Sequence, residues 1–183
     1  MSSSYLRLMA ESSEGPSALG PGQYSASEPS GNRASYVVPM RELSRFRLGD
    51  GRVDIRGWRV FGSDERLVGA VDRLMVEAAS KRIRYIAVSL VSDAGHDYKP
   101  KRAGSVLVPI GVVRRVDERH AVTLDGLPSD LISSAPILRA RAVTRADEDE
   151  TLAVYGMPTS HELPAADFYK SPNFDESRAT VAD

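Results

Sequence analysis

The chain has 183 residues, with 24 Lys and Arg against 25 Asp and Glu, three His and no Cys. That length suits one domain, alone or with tails, and a formal net charge of -1 speaks against a general nucleic-acid binder. The lack of Cys excludes disulfides, thiolate zinc sites, iron–sulfur ligation and a Cys nucleophile.

In chain order, the first 35 residues include 17 Ser, Gly or Pro. Such a composition buries little apolar surface, so residues 1–36 are expected to form an extended arm that is disordered in the isolated protein. Residues 1–15 carry one Arg, two Glu and no long apolar region, which is not a secretory signal and makes a cytoplasmic location the default. Two apolar pairs, Tyr5-Leu6 and Leu8-Met9, interrupt the polar arm as candidate anchors for a partner. Ordering such an arm costs about 1–2 kcal/mol per residue in backbone entropy, so only a large partner surface could offset it.

The middle of the chain predicts strands. Val53–Phe61 alternates imperfectly, with a switch of face at Gly57 that suggests a bulge. After the polar turn Gly62-Ser-Asp-Glu65 comes a second strand over Leu67–Val76, with Gly69 where a side chain would crowd a bend. Arg84–Val91 alternates cleanly as a third, and a long polar loop follows over Ser92–Gly104. Ser105–Val108 and Ile110–Val113 form a fourth strand broken at Pro109, and Ala121–Leu124 a fifth. Five or six short strands separated by turn signals indicate a small all-β barrel or sandwich. The longest apolar stretch, Val106–Val113, is far short of the roughly 20 residues a membrane-spanning helix needs.

Beyond Pro136 the chain turns acidic. Nine Asp and Glu lie between Asp147 and Asp183 against Lys170 and Arg178, whereas nine Lys and Arg lie between Lys81 and His120 against four acidic residues. Asp147-Glu148-Asp149-Glu150 lacks the Gly and the spacing of a calcium loop and reads as a solvated turn. Residues 157–183 read as an acidic C-terminal arm in which Phe168, Tyr169 and Phe174 are apolar anchors for a partner.

No catalytic or cofactor pattern emerges. His96, His120 and His161 stand in separate polar contexts without metal-ligand spacing. No GxSxG, phosphate loop or GxGxxG occurs, and Gly20-Pro-Gly22 and Gly49-Asp-Gly51 read as turns. An enzyme, a metal site, a bound cofactor and a small-molecule substrate are therefore not expected. Arg41, Arg45, Arg47, Arg52, Arg56 and Arg59, with Phe46 and Trp58 nearby, could track phosphates. Glu42, Asp50 and Asp54 interleave with them, however, and alternate strand residues point to opposite faces. The stretch therefore reads as the outer face of a small barrel, with Arg45 and Arg47 meeting protein or anionic lipid headgroups.

Several segments together resemble the PRC-barrel family. They are Val60–Asp72, Ile83–Val88 and Val106–Ile110. The order of Arg84-Tyr85, Leu107–Ile110, Leu127–Leu131 and the acidic segment Val143–Gly156 is most similar to the cytoplasmic domain of the H subunit of bacterial photosynthetic reaction centres. The resemblance spans about residues 37–156 and implies a PRC-type β-barrel flanked by two long irregular arms. It implies a non-catalytic extrinsic subunit that caps or stabilises the cytoplasmic face of a reaction-centre complex, peripheral to the inner membrane. Its partners would be the other subunits of that complex. The alternative is a soluble PRC-barrel adaptor in stress response or RNA processing. Two departures from the H subunit stand out. Its transmembrane helix has only the polar arm as a counterpart here. Its carboxylate upstream of the Arg-Tyr strand, associated with proton delivery to the secondary quinone, falls near Ser80, with Glu77 three residues away. A Ser cannot hold a proton as a carboxylate does, which argues against a principal role in proton uptake.

Overall fold

The structure is a computed structural model that describes residues 37–43, 48, 53–91, 104–116, 119–139 and 142–179. Its spine is an antiparallel hairpin of β3 (Leu67–Glu77) and β4 (Arg82–Leu90). The Lys81 N–H donates to the Glu77 carbonyl at 2.9 Å to close the hairpin, with Lys81 in the left-handed region at φ 59°. Both strands are rich in Val, Ile and Leu, which favour a pleated, half-buried surface. Beyond β4 lie β5 (Ser105–Pro109) and β8 (Ile137–Leu138). The opposite edge of β3 is shared: β2 (Arg59–Phe61) pairs with its start and β1 (Val37–Pro39) with its end. β2 also runs parallel to β7 (Ala121–Leu124), which pairs with β6 (Val113–Val116). The order is β6-β7-β2-β3-β4-β5-β8, and the sheet is not closed.

Among the described residues, two short α-helices join the sheet, α1 (Ser129–Ser133) and α2 (Arg145–Val154). The Ser129 amide and hydroxyl both donate to the Asp64 carboxylate, which ties α1 to the turn between β2 and β3. α2 starts at a capping box: the Thr144 hydroxyl accepts from the Asp147 amide, and the Asp147 carboxylate accepts from the Thr144 amide.

The sheet buries both of its faces. On the inner face Val60, Val71, Leu74, Ile86, Val88, Val106, Val108, Val122 and Leu124 form an aliphatic core. On the outer face Val37, Met75, Tyr85, Ala87 and Leu107 meet Val143, Leu152, Phe168 and Phe174. A register shift makes the second core possible. Met75 pairs with Tyr85 and Val76 with Ile83, so Arg84 is an extra residue in β4. Strict alternation would put Ile83 and Tyr85 on one face; the bulge sends Ile83 inward and Tyr85 outward.

The small all-β fold expected from the sequence is present, with several corrections. The strand expected over Val53–Phe61 is confined to Arg59–Phe61. At Gly57 there is a turn and not a bulge: the Trp58 amide donates to the Ile55 carbonyl, and Gly57 takes φ +83°. The interruption comes after Pro109, which is the last residue of β5: the strand expected over Ile110–Val113 is instead a single 3-10 turn (Ile110–Val112), and β6 begins only at Val113. β1, β8 and both helices were not foreseen. Asp147–Glu150 is not a solvated turn but lies inside α2, with Glu148 fully buried. The loop at 92–103 and the arm at 1–36 lie outside the described residues.

The crowding expected at Gly69 is real: a Cβ there would stand 2.0 Å from the Ser89 carbonyl oxygen in the adjacent strand. Gly69→Ala should therefore push β3 and β4 apart, at a cost of about 1–3 kcal/mol. Urea denaturation should show a lower midpoint with an unchanged slope.

Candidate functional site

The chemistry-bearing groups gather on the outer face, where residues 157–179 fold back over β4. At the bulge, Arg84 reaches the end of β3 and donates to Glu77 Oε2 from Nε at 2.9 Å and from Nη2 at 2.7 Å. Both side chains are buried, at 7% and 9% exposure, and the Ser80 hydroxyl donates to the same carboxylate oxygen. Arg84 also stacks over the Tyr169 ring, 4.3 Å from its centroid, and its Nη1 donates to the Tyr169 carbonyl at 3.4 Å. One guanidinium thus links a hairpin end to the C-terminal segment.

A second charged pair comes from α2. The capping box starts the helix at the register that turns Glu148, Thr151 and Leu152 toward the sheet. Glu148 Oε1 accepts from the Tyr169 hydroxyl at 2.6 Å, and Oε2 lies 2.9 Å from Arg145 Nη1 in an ion contact not aligned as a hydrogen bond. The Tyr85 hydroxyl, buried without a well-aligned partner, faces the same carboxyl. Burial pushes Glu148 up to about 7, against the opposing pull of Tyr169 and Arg145. Burial likewise raises the Tyr85 and Tyr169 hydroxyls well above the usual phenol range, with the nearby Glu148 charge adding to it. The Arg145 guanidinium lies over Phe168 at 3.9 Å and Tyr169 at 4.9 Å. Tyr169 is therefore held by two guanidinium groups, each contact contributing roughly 0.5–2 kcal/mol.

The aromatic rings complete the closure. Phe168, Tyr169 and Phe174 have mutual centroid distances of 5.0–5.2 Å, and Phe174 meets Tyr85 edge-on at 5.4 Å. Tyr155, just beyond α2, donates its hydroxyl to the Leu107 carbonyl at 2.7 Å and fixes the helix to β5. At Gly111 the backbones approach so closely that a Cβ would stand 2.1 Å from the Pro172 carbonyl oxygen.

This placement bears on the residues singled out from the sequence. Phe168 and Phe174 are buried, and Tyr169 is half-buried, in the core of their own chain. The surface they were expected to offer a partner is used within the molecule, because Tyr85 and the two guanidinium groups form a complementary seat for it. Tyr5, Leu6, Leu8, Met9, Arg45 and Arg47 lie outside the described residues. Of the other arginines in that stretch, Arg56 pairs with Asp54, and Arg59 packs near the Phe61 ring. His120 stacks edge-on against Trp58 at 5.2 Å. Among the described residues no group of three or more His, Asp and Glu is placed to hold a metal ion. Glu77 does lie beside Ser80, but its carboxylate is engaged by Arg84.

Glu148 and Arg145 were missed, although two signals pointed to them. Thr144-x-x-Asp147 is a capping-box pattern, and Glu148, Thr151, Leu152 and Tyr155 have the spacing of one helix face.

Comparison with known families agrees with the geometry: the model of the PRC-barrel domain matches residues 49–131. The chain thus carries a small all-β domain of PRC type with an open sheet. The matched stretch includes Glu77, Arg84 and Tyr85 and ends before α2 and the folded-back segment. The outer-face site therefore joins the matched domain to residues beyond it.

Breaking the Arg84–Glu77 pair leaves one buried charge uncompensated. Arg84→Met should cost about 3–5 kcal/mol in urea denaturation. Arg84→Met combined with Glu77→Gln should cost clearly less than the sum of the two single variants.

Proposed function

We propose that this chain is a non-catalytic, extrinsic structural subunit of a bacterial photosynthetic reaction-centre complex. It would sit peripherally on the cytoplasmic face of the inner membrane and cap or stabilise that face. The observation that carries a structural role is how the charged groups beneath the C-terminal segment are used. Glu77, Arg84, Arg145 and Glu148 all serve to fasten the C-terminal segment to the sheet, which makes a rigid platform of a small open-sheet domain. The PRC-barrel match supports this reading, and so does the resemblance of residues 37–156 to the H-subunit cytoplasmic domain. Among the described residues, no helix is long and apolar enough to cross a membrane, which suits an extrinsic attachment.

In this reading contact with neighbouring subunits falls to the N-terminal anchors Tyr5, Leu6, Leu8 and Met9. Arg45, Arg47 and the exposed Arg41 and Arg59 meet acidic loops or anionic headgroups. Such contacts between exposed charges are weakened by salt.

The test is fractionation of native membranes on a mild-detergent density gradient, with the protein followed by mass spectrometry. It should co-migrate with the pigmented band and be released by a high-salt wash. Recovery in the soluble fraction at low salt would overturn the reading. If that soluble form also bound RNA with a steep salt dependence, an RNA-processing adaptor would take its place.

A further inference from the structure

We propose that closure of the C-terminal segment over the sheet takes up a proton at Glu148, so that the segment is held tightly when this carboxyl is protonated and loosens when it ionises. The geometry carries the idea. Glu148 is fully buried, and its Oε1 is held by the hydroxyl of Tyr169, a residue of the segment itself. Phe168, adjacent in sequence, lies beneath the Arg145 guanidinium. Lifting the segment would therefore remove both the hydrogen bond and the apolar cover, and return the carboxyl to water.

The groups facing the carboxyl come from every element around it. α2 supplies Arg145 at 2.9 Å and the neighbouring Asp149, whose charge opposes ionisation of Glu148. β4 supplies the buried Tyr85 hydroxyl. Arg84 lies over the Tyr169 ring, 4.3 Å from its centroid, with its charge matched by Glu77. When Glu148 is protonated, Arg145 remains 31% exposed and stacked on two rings, so the cation is not stranded.

The sign follows from linkage. In the closed form burial raises the carboxyl from an ordinary 4.5 to about 7. The closed form therefore binds the proton more tightly than the open form does. Closure is strongest below pH 4.5, weakens as pH rises toward 7 and levels off above it.

Amide hydrogen exchange in the full chain tests this, read at Phe168 and Phe174, whose N–H groups donate to the Pro164 and Ser171 carbonyls. Rates are normalised to β4 amides to remove the intrinsic effect of pH. Protection of the segment should fall by roughly thirtyfold between pH 5.5 and pH 8. Glu148→Gln, which keeps an acceptor for Tyr169 without a titrating charge, should remain protected across that range. In Tyr169→Phe the pH dependence should persist with a higher midpoint, because the lost hydrogen bond favours the ionised form. Flat protection in the natural chain, or an unchanged pH dependence in Glu148→Gln, would overturn the proposal. If the variants fail to fold, a carbon-13 carboxyl titration of Glu148 in the natural chain decides: a midpoint near 7 supports it, and one near 4.5 sinks it.

Discussion

The extra residue in β4 is the constraint on which the rest of the outer face depends. A strand offers its side chains to two faces in strict alternation, and one inserted residue reverses the assignment for everything on one side of it. Here the insertion falls at Arg84. It lets Ile83 complete the aliphatic interior while Tyr85 joins the outer cluster. The same residue carries the guanidinium that reaches both Glu77 and Tyr169. A regular strand would put Ile83 and Tyr85 on one face, so that either the interior would lose Ile83 or the outer cluster would lose Tyr85.

The two faces are held by different kinds of force. Inside, Val, Ile and Leu side chains interlock through burial that has little directional demand, so cohesion there follows from volume and shape. Outside, the contacts are directional: ring edges on ring faces, guanidinium planes over rings, and a phenol on a carboxylate. Directional contacts select one partner geometry, which suits a surface that must accept one segment in one register. The inner face makes the domain stable, and the outer face determines how the chain closes upon it.

The legibility of the sequence divides along the same line. The strands of the spine were readable because alternation and β-branched residues report burial directly, as in Arg84–Val91 and Ser105–Val108. Pro109 and Gly69 were readable because each has a steric consequence that needs no partner to be known. α2 was not. Its acidic run looks like a solvated surface, and only the capping pattern with Leu152 and Tyr155 on the same face reveals a helix against the sheet. The three aromatics were recognised as anchors from their polar surroundings. Nothing local says whether such an anchor grips another molecule or its own chain, because the receptor, Tyr85 with Arg84 and Arg145, is assembled from residues up to 61 positions apart in sequence.

The fold-back also bears on how the chain is made. β3, β4 and β5 are joined by an early hairpin and pair locally, so the spine can assemble as soon as residue 109 has been synthesised. The outer surface of that spine, with Met75, Tyr85, Ala87 and Leu107, then lacks the cover that Phe168 and Phe174 provide in the finished molecule. It acquires that cover only after some sixty further residues have followed. During this interval the nascent domain displays an apolar patch of the kind that recruits chaperones or other chains. The last turns of the described chain are thus what covers the outer surface of the spine.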